Sequence, residues 1–137
     1  MSAIVVGTDH SPQARIAVER AATMAKLFGV PLHIVTAVRK GEVKEYGSES
    51  NDHWNVDTDR RALDDLVIEF QSTVTVTTAA LDTDPVSVLC EEGTRLGALV
   101  IVVGNKRVQG VSRVLGSIAG GVAKFAPCDV LVVHTQA

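Results

Sequence analysis

The sequence predicts an α/β protein with an open five-stranded parallel sheet and helices on both faces. Three observations favour this class. Short apolar runs alternate with helical patterns along the 137 residues, hydrophobic residues make up 46% of the chain, and aromatic residues only 4%. A core of Val, Ile, Leu and Ala suits strands that are buried on both faces. Strands that alternate with helices imply right-handed crossovers and a parallel sheet.

The first two strands flank a capped helix. Residues 3–7 form a short apolar run that predicts the first strand. Ser11-Pro12 then predicts a helix start, because Ser caps free amides and Pro fits the first helical position. Gly29 predicts the end of this helix. The apolar run 31–38 predicts the second strand.

The segment 39–57 is polar and predicts a long loop. It contains two glycines and the only Tyr and Trp of the chain, Tyr46 and Trp54. Long loops in compact domains are often functional or disordered, so this one is either a lid over a neighbouring site or a solvated insertion. Apolar residues at helical spacing over 63–70 predict the second helix, with Asp57-Thr58-Asp59 as capping residues before it.

The second half of the chain repeats the alternation. Asp84-Pro85 repeats the capping device of the first helix. The predicted elements are a strand over 73–81, a helix from Pro85, a strand over 98–103 that ends at Gly104, a helix over 117–126 that Pro127 stops, and a strand over 130–133.

Charge and composition exclude several classes. The formal net charge is −3 and no long basic block appears, so no nucleic-acid partner is expected. The N-terminus lacks signal-peptide features, and no apolar run approaches the ~20 residues of a membrane helix. We therefore expect a cytoplasmic protein with no membrane partner. Cys90, Cys128 and the four scattered histidines show no metal-ligand spacing, so we expect free thiols and no metal site of this kind.

The segment from Gly104 to Ser117 is the strongest candidate for a ligand site. It follows a buried strand and runs into a helix, where backbone amides and the helix dipole favour an anion. Lys106, Arg107 and Arg113 add positive charge. A phosphate site and an ordinary strand-to-helix connection both explain the glycines, and spacing alone leaves the two open.

Asp9 ends the first strand and faces the same edge of the sheet. Its carboxylate could accept hydrogen bonds from an adenine amino group or a ribose, or help to hold a metal. It could equally start the turn before Ser11, a common use of Asp. The local sequence does not separate these interpretations.

Three groups of residues carry a resemblance to a known family. Val5-Val6-Gly7-Thr8-Asp9-His10-Ser11 resembles the first strand and Asp-x-Ser turn of the universal stress protein family. Asp84-Pro85 with the run 96–104 resembles that family's third helix and fourth strand. Leu115-Gly116-Ser117 with the run 126–133 resembles its closing helix and strand.

The resemblance covers nearly the whole chain and implies specific properties. It implies a single domain over 1–137 of the adenine nucleotide alpha hydrolase-like type, with strand order 3-2-1-4-5. It also implies a stress-response regulator that binds an adenine nucleotide, with ATP expected and Mg²⁺ as a candidate companion. Members often dimerise through the fifth strand, so a homodimer through Val130 to Val133 is expected.

ATP-binding members of the family carry a Gly-x2-Gly-x9-Gly-Ser/Thr motif. The residues that match nucleotide-binding positions, or lie within the motif, are Asp9, Ala37, Gly104, Asn105, Arg107, Gly116, Ser117 and Ile118. Asp9 and Ala37 match positions near the adenine, whereas Gly104, Gly116, Ser117 and Ile118 match positions near the ribose and phosphates.

This chain departs from the motif twice. Arg107 stands at the second Gly, and eight residues rather than nine separate it from Gly116. Two hypotheses follow: a nucleotide-binding regulator that is at most a slow ATPase, or a dimeric interaction module of the same fold without a nucleotide. No general base is apparent. A Walker A loop, a Gly-x-Gly-x-x-Gly fingerprint and a Gly-x-Ser-x-Gly elbow are absent.

Overall fold

The computed structural model describes residues 2–38, 49–105 and 115–135, with the backbone alone for 49–57. Strands and helices alternate throughout these residues. The elements are β1 (Ile4–Gly7), α1 (Pro12–Phe28), β2 (Leu32–Ala37), α2 (Glu49–Phe70), β3 (Val76–Leu81), α3 (Pro85–Leu96), β4 (Val100–Asn105), α4 (Ser117–Phe125) and β5 (Asp129–His134).

The five strands form one parallel sheet in the order β3-β2-β1-β4-β5, which confirms the predicted fold class. The register aligns Gly7 with Val35, and Val6 with Val102. Strand β1 therefore lies at the centre, between the two strands where the winding direction reverses. Ligands in sheets of this kind bind at the carboxyl ends of these strands.

Each face of the sheet has its own core. Alternate strand residues such as Ile34 and Val102 pack under α1 and α2, with Ala21 and Leu63 from those helices. The opposite residues, such as Val35 and Ile101, pack under α3 and α4. Because successive side chains of a strand point to opposite faces, every buried hydrophobic residue of the strands belongs to one core or the other.

The predicted caps set the helix bounds. Ser11 Oγ accepts a hydrogen bond from the Ala14 amide at 3.1 Å, and Asp84 Oδ1 accepts one from the Ser87 amide at 2.9 Å. The predicted Gly29 ends α1 with a positive φ angle of 69°, and Gly97, which was not predicted as a cap, ends α3 in the same way with a φ of 60°. Glycine adopts such angles without steric cost. These local signals are readable in the sequence because each cap involves neighbours in the chain.

The predicted loop over 39–57 is wrong in its second half. Helix α2 begins at Glu49, so Trp54 lies on a helix. Asp57-Thr58-Asp59 also lies inside α2 and does not cap it. Residues 49–57 are polar except for Trp54 and Val56, and therefore show no apolar periodicity. Residues 39–48, the rest of the proposed lid, lie outside the described residues.

Two strand ends also differ from the prediction. Strand β3 begins at Val76 rather than Thr73, because the amides of Thr73 and Val74 both donate to the Phe70 carbonyl and continue the turn after α2. Strand β4 continues through Gly104 to Asn105, which pairs with His134 of β5.

Candidate functional site

A cavity of about 190 Å³ opens at the carboxyl ends of β1, β2 and β4. Its volume is several times the ~30 Å³ that one water occupies in the liquid, so it can hold a ligand fragment rather than a single ordered water. Its position is the crevice at which the order of the strands reverses. The cavity is therefore the candidate functional site of the described residues.

Four of the residues selected from the sequence line this cavity. They are Asp9, Ala37, Gly104 and Ile118. They come from the β1–α1 turn, β2, β4 and α4, elements that only the sheet topology brings together. Asp9 Oδ1 also accepts a hydrogen bond from the Ser11 amide at 3.0 Å. The same carboxylate thus shapes the turn before α1 and borders the cavity.

Asn105 holds the start of α4. It is 5% exposed, and its Oδ1 accepts a hydrogen bond from the Gly116 amide at 2.8 Å. Gly116 occupies the N-cap position of α4, where it offers no side-chain cap of its own. The Asn105 side chain satisfies one of the free amides at this helix terminus, which places Gly116 and Ser117 beside the end of β4.

The basic residues of the Gly-rich segment lie outside the described residues. Lys106, Arg107 and Arg113 all fall within residues 106–114, between β4 and Leu115. The expected contribution of Arg107 to phosphate binding therefore stays a prediction.

The apolar lining of the cavity comes mainly from α3 and the two strands beside β1. Val35, Val88, Leu89 and Val103 form this wall, and Pro85 extends it at the start of α3. An apolar wall with a few polar groups is the usual composition of a small-molecule site. These residues were not predicted as site residues, because in the sequence each looks like an ordinary core residue of its strand or helix.

Several polar residues of the lining were also missed. Thr36 precedes Ala37 at the end of β2, and Thr135 follows β5. Both line the cavity, together with Thr8 and Gln13. Their signal in the sequence is only that a hydroxyl residue stands at the carboxyl end of a buried strand. Asp9 is the one charged residue among the described residues of the lining.

The turn that carries Asp9 is held from both sides. His10 has a positive φ of 67°, which is uncommon for a residue with a side chain. Its amide donates to Thr8 Oγ1 at 2.9 Å, which fixes the backbone around Asp9. Its ring Nε2 lies 3.1 Å from Asp59 Oδ1 of α2 but does not have the geometry of a hydrogen bond, so this close approach brings α2 next to the turn.

A second buried polar cluster lies toward the amino end of the sheet. His33 Nε2 lies 2.7 Å from Glu92 Oε1, and His33 Nδ1 lies 2.6 Å from Thr77 Oγ1. Arg95 donates two hydrogen bonds to the Glu92 carboxylate at 2.8 and 2.9 Å. The bonds from Arg95, aided by His33 and opposed by burial, lower the pKa of Glu92 to about 2. An ionised Glu92 can only accept, so the His33 Nε2 carries the proton.

The two thiols are free. Cys90 lies on α3 and Cys128 immediately before β5, and both are half-buried. Burial raises the pKa of each thiol, which keeps both protonated and unreactive at neutral pH. Within the described ranges, no three His, Cys, Asp or Glu side chains converge as a metal site, and no helix is long and apolar enough for a bilayer.

The comparisons with known proteins agree on one family. The model of the universal stress protein family matches residues 1–134. A universal stress protein of Mycobacterium tuberculosis strain H37Rv is 31% identical over 144 aligned residues, which cover 97% of this chain and 48% of that protein. The chain thus spans about half the length of this relative. A putative universal stress protein of Staphylococcus haemolyticus is 27% identical, with 97% and 84% covered.

Solved structures give the same result. The crystal structure of a universal stress protein in complex with cAMP is 28% identical, with a TM-score of 0.73 and 98% of each chain covered. A universal stress protein of Archaeoglobus fulgidus is 22% identical, with a TM-score of 0.76 and 96% and 93% covered. The second likeness shows the shared fold, and the first is a relative that was crystallised with cAMP.

Proposed function

The chain belongs to the universal stress protein family, and we propose that it binds an adenine nucleotide, with ATP as the favoured ligand, at the carboxyl edge of its sheet. On this proposal it acts as a cytoplasmic stress-response regulator whose state depends on the bound nucleotide. The observation that carries the proposal is the cavity lined by Asp9, Ala37, Gly104 and Ile118, four residues that match nucleotide-binding positions of the family.

The cavity fits the nucleoside part of such a ligand. Its apolar wall suits the faces of a heteroaromatic ring, and its threonines and Asp9 offer hydrogen bonds to ring or sugar groups. The family relative crystallised with cAMP supports an adenine ring in particular, because it aligns over 98% of this chain. Mg²⁺ would accompany the phosphates rather than the nucleoside.

We propose binding rather than efficient turnover. The described lining contains no His, Lys, Cys or Glu that could act as a general base on an attacking water, and Asp9 is occupied in the β1–α1 turn. A slow ATPase is the most activity that this arrangement supports.

The test of the proposal begins with protein purified under native conditions. Mass spectrometry of the small molecules released on denaturation should find an adenine nucleotide, and calorimetry of the emptied protein should show binding of ATP and adenosine. A protein that releases no nucleotide and binds neither compound contradicts the proposal and favours an interaction module of the same fold.

Arg107 provides a sharper test of the phosphate end. Arg107→Ala should weaken ATP binding by about 1.5–3 kcal/mol if the guanidinium makes a charge-assisted contact, and should leave adenosine binding unchanged. Arg107→Gly restores the residue of the family motif. Tighter ATP binding in both variants would mean that Arg107 obstructs the phosphates.

The interaction-module hypothesis rests on β5. This strand is an edge of the sheet, and Val130, Leu131 and Val132 are half-buried in the isolated chain. An apolar edge strand favours pairing with another chain, and we propose a two-fold homodimer through Val130 to Val133. Sedimentation equilibrium should give twice the 14.5 kDa chain mass. Val132→Lys should shift the protein to monomer, with circular dichroism as the control for folding.

A further inference from the structure

Two threonines of the cavity lining are almost fully buried, yet their hydroxyls have no hydrogen-bond partner among the described residues. Thr36 is 4% exposed and Thr135 is 2% exposed, and both line the cavity. Across the residues that the structure describes, neither side chain makes a hydrogen bond. Neither oxygen is among the described buried atoms that lack a partner, so each keeps some accessible surface and is available to a ligand in the cavity.

The two threonines stand on one side of the cavity. Thr36 lies two residues beyond Ile34 on β2 and therefore on the face of the sheet that packs under α1. A methyl group added at Gly104 would come within 2.9 Å of Thr135 Cγ2 and 3.6 Å of Ala17 Cβ of α1, which puts Thr135 on the same face. The cavity thus combines an apolar wall from α3 with two hydroxyls on the α1 side.

Three other threonines have hydroxyls that form hydrogen bonds within the protein. Thr8 lines the same cavity, but its Oγ1 accepts a hydrogen bond from the His10 amide. Thr77 bonds to the His33 ring, and Thr94 donates to the Cys90 carbonyl at 2.9 Å. Thr73, Thr75, Thr78 and Thr83 also lack a side-chain hydrogen bond within the described residues, but all four are more exposed. Thr36 and Thr135 differ from them because they are almost fully buried and line the cavity.

The charge of the lining indicates which part of a nucleotide these hydroxyls meet. Asp9 is the single charged residue of the described lining, and its carboxylate disfavours a phosphate nearby. A neutral hydroxyl can donate to a ring nitrogen or accept from an amino or ribose hydroxyl group. These pairings belong to the uncharged nucleoside part of the ligand.

We propose that Thr36 and Thr135 are specificity-determining residues that hydrogen-bond the nucleoside part of the ligand. This inference rests on the proposed function and adds two residues outside the family motif. On this proposal, a polar group of the ligand lies on the α1 side of the cavity. A purely apolar ligand would leave both hydroxyls buried and unpaired.

Thr36→Val and Thr135→Val test the proposal, because Val keeps the shape of Thr and removes the hydroxyl. Each variant should bind ATP and adenosine about 3- to 10-fold more weakly, by the same factor for both compounds, as expected for one lost hydrogen bond. The melting temperature of the ligand-free protein should stay constant or rise, because an apolar group replaces an unpaired polar one.

Thr77→Val is the matched control. It removes a hydroxyl that has a protein partner, so it should lower the melting temperature and leave both dissociation constants unchanged. A melting temperature that falls as far in Thr36→Val or Thr135→Val as in this control would assign those hydroxyls a structural role and overturn the proposal.

The outcomes also separate this inference from the proposed function. Unchanged dissociation constants in both valine variants, with normal binding by the wild type, overturn the threonine assignment alone. A valine variant that binds ATP more weakly but binds adenosine normally also overturns the assignment, because the lost contact would then be one to the phosphates. Wild-type protein that binds neither compound overturns the nucleotide proposal together with this one.

Discussion

Strand β2 carries a buried polar side chain near each end, and the two differ in how the protein treats them. At the amino end, both ring nitrogens of His33 have partners, in Glu92 and Thr77. At the carboxyl end, Thr36 lines the cavity, and its hydroxyl has no partner in the described part of the chain. The difference separates a polar group that completes the fold from one that remains available to a ligand.

Removing Glu92 should give the largest effect on stability. Glu92→Ala leaves the His33 Nε2–H buried without its acceptor and frees Arg95, so the free energy of unfolding should fall by about 3 kcal/mol. Glu91→Ala makes the same change at the exposed neighbour on α3 and should have little effect. Urea denaturation compares the two. Equal free energies of unfolding in both variants would show that the polar cluster at the amino end of β2 does not stabilise the fold.

Acid should weaken the stabilising interactions of Glu92 with His33 and Arg95 at the amino end of β2. The pKa of Glu92 lies near 2 in the folded chain and at 4.5 without its partners. Its contribution to stability is thus complete above pH 4.5 and is lost as the pH falls from 4.5 through 2. Denaturation curves across this window should show a steeper loss in the wild type than in Glu92→Gln, which cannot titrate. Parallel pH profiles would contradict the assigned role of Glu92.

A methyl group at Gly104 should disturb the carboxyl end instead. Its Cβ would lie 2.9 Å from Thr135 Cγ2, so Gly104→Ala should displace Thr135, lower the free energy of unfolding by about 1 kcal/mol and weaken adenosine binding several-fold. The matched control is Gly120→Ala in α4, where the nearest atom, Leu115 Cβ, lies at 4.0 Å.

The control should behave in the opposite way. Alanine is the better helix former, so Gly120→Ala should raise the free energy of unfolding by about 0.5–1 kcal/mol and leave ligand binding unchanged. Calorimetry with adenosine and thermal melting measure both quantities. The role of Gly104 would be contradicted if Gly104→Ala kept both the stability and the adenosine affinity of the wild type. It would also be contradicted if Gly120→Ala weakened adenosine binding.

The sequence predicted the parts of the fold that depend on chain neighbours. Ser11 and Asp84 cap helices through residues three positions away, and the alternation of strands and helices implied the parallel sheet. Helix α2 was predicted to start too late, because its first residues from Glu49 to Asp57 have no apolar face for periodicity to detect.

The site was predictable only in part, for the same reason. Asp9 and Gly104 stand at strand ends, where topology places ligands, and a family motif covers them. Thr36 and Thr135 are recognisable only once strand alternation and burial are known. The hydrogen bond between His33 and Glu92 joins residues 59 positions apart, and no pattern in the sequence predicts it.

The central claim is that adenine nucleotides bind at the carboxyl end of the sheet and leave the amino end untouched. Titration of ¹⁵N-labelled protein with ATP tests it directly, because each backbone amide reports on its own surroundings. The account predicts that shift changes concentrate at Asp9, Thr36, Ala37, Gly104 and Thr135, with none at His33. Changes centred on His33 and Glu92, or no change at saturating ATP, would contradict it.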